Sequence, residues 1–229
     1  MISRAAVCPS PPLLARELTG ADPVLPELRQ ACLDATAALL TGAPDLVAVV
    51  GVAGETRRWS GDARLDLSAY APGLGQHTAD QASLPLSLGL GARLLDQAGY
   101  CGQRDLYSLS ELEPPEACAA LGERLASADG SVALLVMADG SARRGLKAPG
   151  YFDERSGPFD AQVEHAIRAG DFATLLALDA DLARDLMASG RPAWQALAGA
   201  MSGRRIGTQV RYCDDPFGVA YIVASVTRL

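Results

Sequence analysis

Two uninterrupted apolar runs constrain this chain more than anything else in it. Leu46-Val47-Ala48-Val49-Val50-Gly51-Val52 and Val132-Ala133-Leu134-Leu135-Val136-Met137 are short, rich in β-branched and aliphatic residues, and bounded by turn formers. A strand with one wet face alternates apolar and polar residues, whereas a strand apolar at every position has to be covered on both faces. The two runs therefore predict an α/β fold, with a central mixed, mostly parallel sheet flanked by helices on both faces.

The stretches between them supply the helices. Leu28, Cys32, Ala35 and Leu39 recur at helical spacing and predict a helix over 25–40, stopped by Gly42 and Pro44. Further helices are expected over 81–98 with Pro85 near the first turn, over 116–128, and over 160–169, 172–178, 179–189 and 193–201. A short apolar strand, Ala5-Ala6-Val7-Cys8, opens the chain, and β-rich runs at 208–212 and 219–226 close it. Two glycine- and charge-rich excursions, 54–75 and 139–157, each leave the end of a buried strand, where loops of that length are usually functional. No repeat or low-complexity linker interrupts the 229 residues, so a single domain over 1–229 is expected.

Composition removes several function classes. The formal net charge is −7, which argues against a nucleic-acid backbone or an anionic membrane surface as partner. No run approaches the roughly 18 apolar residues of a membrane span, and the N-terminus has no basic region followed by a long apolar core, so a cytoplasmic location is expected. Five cysteines at 8, 32, 101, 118 and 213 form no CxxC pair and are expected as reduced thiols, mostly buried.

The first strand runs into Cys8-Pro9-Ser10-Pro11-Pro12-Leu13-Leu14, and prolines cannot continue a ladder. Three further stretches stand in order behind it: Ala53-Gly54-Glu55-Thr56 after the second strand, Gln76-His77-Thr78-Ala79-Asp80 through Leu84-Pro85-Leu86, and Met137-Ala138-Asp139-Gly140-Ser141-Ala142. Together, over nearly the whole chain, they resemble the LigB-type class III extradiol ring-cleavage dioxygenases and their MEMO-like relatives. The resemblance implies a LigB-like α/β domain and non-haem Fe(II) held by two histidines and a carboxylate, with a histidine acting as acid/base. The chain departs from that pattern. It has two histidines in total, His77 and His165, and shows Ser10, Gly54 or Glu55, and Ala142 where the relatives place imidazoles.

The expectation is therefore a LigB-like protein with a degenerate metal site and no resident cofactor. Its pocket would be lined by Ser10, Glu55, His77, Asp139 and Ser141, with His77 and Asp139 as its chemically active pair. Arg143 and Arg144, with Lys147 beside glycines, suggest an anionic or aromatic small-molecule ligand; the competing reading is that these charges order their loop. Two alternatives stand beside it. One is an active extradiol-type oxidoreductase holding Fe(II) or another divalent metal through His77, Glu55 and Asp139, an oxygen-rich set better suited to manganese or magnesium. The other is a non-catalytic structural subunit, and oligomerisation, including a homo-oligomer, is common in the group. A hydrolase built from Ser10 or Ser141 with His77 and Asp139 has the residue types but no Gly-x-Ser-x-Gly elbow. His165 falls between Val163 and Ile167, which mark a buried helix face, and is expected to point away from it.

Overall fold

The computed structural model describes residues 2–20, 24–60, 63–71 and 83–229. In chain order its strands and helices are β1 (Ile2–Cys8), α1 (Arg16–Thr19), α2 (Pro26–Leu40), β2 (Leu46–Ala53), β3 (Arg57–Trp59), the two-residue strands β4 (Arg64–Leu65) and β5 (Ser83–Leu84), α3 (Leu86–Gln97), β6 (Gln103–Ser110), α4 (Pro115–Ala126), β7 (Val132–Met137), α5 (Ser156–Ala169), α6 (Phe172–Leu176), α7 (Ala180–Asp185), α8 (Arg191–Met201), β8 (Ile206–Asp214) and β9 (Tyr221–Arg228). β4 pairs only with β5; the other strands form one sheet in the order β3-β6-β2-β7-β1-β9-β8. Its centre, β6-β2-β7-β1, is parallel, and β3, β9 and β8 add antiparallel pairings at the flanks. The protein is an α/β chain with a mixed sheet, parallel in its core and surrounded by helices, as the two apolar runs required.

The period of two along each strand sorts side chains between two cores. Val132, Leu134 and Val136 of β7 and Ala48 and Val50 of β2 face one side, where α4, α5 and α8 contribute Leu121, Val163, Trp194 and Leu197. Ala133, Leu135 and Met137, with Val47 and Val49, face the other, where α2 and α3 contribute Leu28, Cys32, Leu88 and Leu95. Every side chain of β7 is buried, the direct result of covering both faces. On one side, α4 and α8 approach so closely that a Cβ on Gly122 would stand 1.9 Å from the Ala196 carbonyl oxygen, and one on Gly199 2.2 Å from that of Ala119. Only glycine fits at those two crossings.

Several expected boundaries move. The helix expected over 81–98 begins at Leu86, because Pro85 takes the N-cap position and Leu84 before it is held extended in β5; Gln81 lies outside the described residues. The helix expected over 179–189 ends at Asp185, and Met187 adopts a left-handed φ of 54°. Two strands escape the apolar pattern. β6 carries Arg104 and Asp105 before Leu106, and Tyr107 and Ser108 between Leu106 and Leu109, and β3, inside the first excursion, pairs antiparallel with its outer edge. No helix among the described residues is long and apolar enough to cross a membrane.

Candidate functional site

Parallel pairing brings strand ends level. Cys8 of β1 is opposite Met137 of β7, and Val136 of β7 is opposite Val50 of β2. The connection leaving β2 passes through α3 to β6 on one side of the sheet order, while that leaving β7 leads to β8 on the other. Where neighbouring connections part in this way, the carboxyl ends of the strands are left with a crevice between them. Here that crevice has a volume of about 560 Å³. Its wall includes Ser10 beyond β1, Val52 to Gly54 at the end of β2, Met137 and Asp139 at the end of β7, and Tyr221 at the start of β9.

Ser10 and Asp139 form its centre. The ladder between β1 and β7 is prolonged by one bond, from Ala138 N–H to the Cys8 carbonyl at 2.9 Å. Two residues further on, the Ser10 backbone N–H donates to Asp139 Oδ1 at 2.8 Å and its hydroxyl donates to Oδ2 at 2.9 Å. Prolines on both sides of Ser10 fix the approach of the chain. Behind it, the buried Arg29 of α2 donates to the carbonyls of Leu14 at 2.7 Å and Leu13 at 3.0 Å, which ties the turn to α2. Burial pushes the Asp139 carboxyl above the usual carboxylate range, and the two bonds from Ser10 pull against that rise. Gly140 allows the next turn to close on β9: a Cβ there would meet Ala220 Cβ at 2.7 Å, and its N–H donates to the Ala220 carbonyl at 2.8 Å.

The remaining expected residues are placed differently. Ser141 is fully buried and turned from the crevice, with its N–H on Asp160 Oδ1 at 2.9 Å and its hydroxyl on Asp160 Oδ2. Arg144 is committed to Asp215 at 2.8 Å and lies 3.8 Å from Asp160, so it braces the loop against α5 and the turn before β9. Arg143 does not line the crevice either; its carbonyl accepts from Asp153 N–H and from the Ser156 hydroxyl. Arg143, Arg144 and Lys147, on which the expectation of an anionic ligand rested, are not among the described residues that line this crevice. Glu55 is exposed beside β3 and pairs with Arg57 at 3.2 Å, because the chain after Gly54 turns back along the edge of β6 and carries it away. His77 lies outside the described residues. His165 is on the exposed side of α5.

Cys8, two residues from Ser10, is wholly buried and directs its thiol to the Cys32 carbonyl at 3.9 Å; the Cys32 thiol is pushed well up by its bond with Cys8 and by burial. Both behave as core residues.

Two crevice residues carried no signal in the sequence. Glu111 follows β6, itself unrecognised, and reaches the rim. Its backbone carbonyl and that of Glu113 accept from the buried Arg191 at 2.5 and 2.7 Å. Tyr221 sits in an apolar run that reads only as core, yet lines the crevice at 5% exposure. Burial and the neighbouring Asp139 push its phenol well above the ordinary range.

The iron that the LigB resemblance implies does not fit the side chains present. Two imidazoles and a carboxylate must converge, and the second of the chain's two histidines, His165, is exposed on α5 and outside the crevice wall. Among the described residues no group of three histidine, cysteine or carboxylate side chains is arranged to hold a metal ion. Ser10 and Ala142 occupy two positions where the resemblance calls for imidazole, and neither side chain substitutes for it.

No family model matches the chain, and no curated protein matches it in sequence. Among solved structures, it is similar to the crystal structure of an uncharacterized protein from Escherichia coli K12, with a TM-score of 0.62 and 12% identity, over 98% of this chain and 99% of that one. At that identity the likeness is one of fold.

Proposed function

We propose that this chain is a relative of the LigB-type class III extradiol dioxygenases that has lost the iron site and uses the surviving crevice to bind a small molecule, without ring cleavage. One observation carries the reading: both oxygens of Asp139 are bound by Ser10, at the strand-end position where the resemblance expects a histidine. A carboxylate anchored by a serine shapes and charges a pocket, and among the described residues no imidazole lines that pocket to share a metal. The volume of about 560 Å³ falls within the usual range for small-molecule sites, and the wall mixes apolar side chains such as Val52, Leu86, Met137 and Val219 with a few polar groups.

Metal analysis of anaerobically purified protein, followed by ferrous loading and a catechol-cleavage assay, tests this reading. The expected result is substoichiometric iron and no ring-opened product. Stoichiometric iron with ring-opened product would overturn it. In parallel, a thermal-shift screen of small aromatic compounds is expected to find ligands that stabilise the wild-type chain and fail to stabilise Ser10→Trp, which fills the crevice.

A further inference from the structure

Charge along the crevice wall is one-sided. Among the described residues its ionisable carboxyls are Asp139 at the centre and Glu111 at the rim, and no lysine or arginine lines it. The basic residues of the neighbouring loops are spent elsewhere, Arg144 on Asp215, Arg155 on Asp153, and Arg191 on backbone carbonyls and Gln195. Among the described residues Asp139 has no cationic partner within ion-pair distance. Its two oxygens receive one bond each from Ser10, and each retains a lone pair for a donor arriving from the crevice.

A second observation is independent of the carboxylates. Tyr221 is 5% exposed as a residue and lines the same wall, and its hydroxyl is not among the buried polar atoms left without a partner, so it opens on the crevice. A phenol oxygen that opens on the crevice is free to meet a polar group of a ligand there. The wall also receives the N-terminus of α3 through Leu86 and Ser87, which favours negative charge. A helix terminus is equivalent to roughly half a positive charge. Two carboxylates outweigh it.

Resting on the binding reading above, we propose that the crevice selects a small organic cation: a primary or secondary ammonium on an apolar or aromatic body. The ammonium donates to Asp139 and to the Tyr221 oxygen, and Glu111 attracts it at the entrance. The apolar body lies against Val52, Leu86, Met137 and Val219. Asp139, which burial alone leaves poorly solvated, gains a counter-ion when the ligand enters.

The test uses the full chain and three probes of one shape, 2-phenylethylamine, 2-phenylethanol and phenylacetate, titrated by calorimetry at pH 7.5. The amine is expected to bind at least about tenfold more tightly than either of the others, the factor that 1.4 kcal/mol provides. Asp139→Asn is expected to remove that preference, and Tyr221→Phe to weaken the amine severalfold while leaving the alcohol unchanged. Because Tyr221→Phe deletes a hydroxyl without a partner, it keeps the test intact where Asp139→Asn fails to fold. Equal binding of all three probes, or preference for phenylacetate, overturns the cation proposal and leaves a binding crevice standing. No binding by any probe, nor by a wider set of neutral and anionic aromatics, overturns both.

Discussion

Ser10→Ala removes one hydroxyl from the centre of the crevice and leaves almost everything else in place. The Ser10 N–H still donates to Asp139 Oδ1 at 2.8 Å, and the lost contact is the hydroxyl bond to Oδ2 at 2.9 Å. A hydrogen bond to an ionised group contributes about 1.5–3 kcal/mol and one between neutral groups about 0.5–1.5. The void left by one oxygen is too small to add much. The Asp139 carboxyl has its proton affinity raised in the folded protein, so between its unfolded value and its folded value the native state holds the extra proton, and stability falls as pH rises through that window. The Ser10 hydroxyl stabilises the ionised form and so narrows the window; its removal widens it. The cost of Ser10→Ala is therefore expected to grow with pH, from about 1 kcal/mol where Asp139 is protonated to about 2 kcal/mol where it is ionised. Urea denaturation of wild type and variant in parallel across a pH series, from the most acidic pH at which both remain folded to pH 8, reads the difference, since the other carboxyls titrate alike in both chains. A cost below about 0.5 kcal/mol at pH 8, or a cost that falls as pH rises across the series, would refute the account.

Two further substitutions test the frame around the crevice. Gly122→Ala places a methyl 1.9 Å from the Ala196 carbonyl oxygen and 2.6 Å from the Ala200 nitrogen, both backbone atoms, so α4 and α8 must separate. Overpacking costs about 1–3 kcal/mol, and the upper end is expected here because no side chain can rotate away; an unchanged denaturation midpoint would show that the helices are free to part. Arg191→Met keeps the bulk but strands the carbonyls of Glu111 and Glu113 and the Gln195 amide oxygen, with an expected loss of about 3 kcal/mol by thermal or urea unfolding. A variant as stable as wild type would mean that water replaces the guanidinium without cost.

The parts legible in the sequence share one property: their pattern is local. β2 and β7 announce themselves because a strand covered on both faces is apolar at every position, and α2 because Leu28, Cys32, Ala35 and Leu39 repeat along one face. Ser10 and Asp139 were legible as strand-end residues, flanked by the proline and glycine that such ends require. β6 was not. Its buried Ser108 is satisfied by the Glu55 carbonyl at 2.7 Å and receives the Trp59 indole N–H at 2.8 Å, so a polar residue is tolerated in the sheet by partners some fifty positions away. Glu111 was missed with the strand that carries it.

By itself, then, the sequence determined the layered α/β architecture, the strand ends where a crevice would form, and a supply of only two imidazoles; that His165 stands on the exposed side of α5, outside the crevice wall, was decided by the tertiary structure. Tertiary structure alone decided which charges meet there. Asp139 and Ser141 are two residues apart in the chain, yet one is held by Ser10 across β1 and β7 and the other by Asp160 of α5. Arg144 turns to Asp215, and Tyr221 enters from a strand that reads as core. The physical reason is that backbone periodicity fixes which face a residue occupies, whereas the partner of a polar side chain is set by whichever element packs against it, and those elements are distant in sequence.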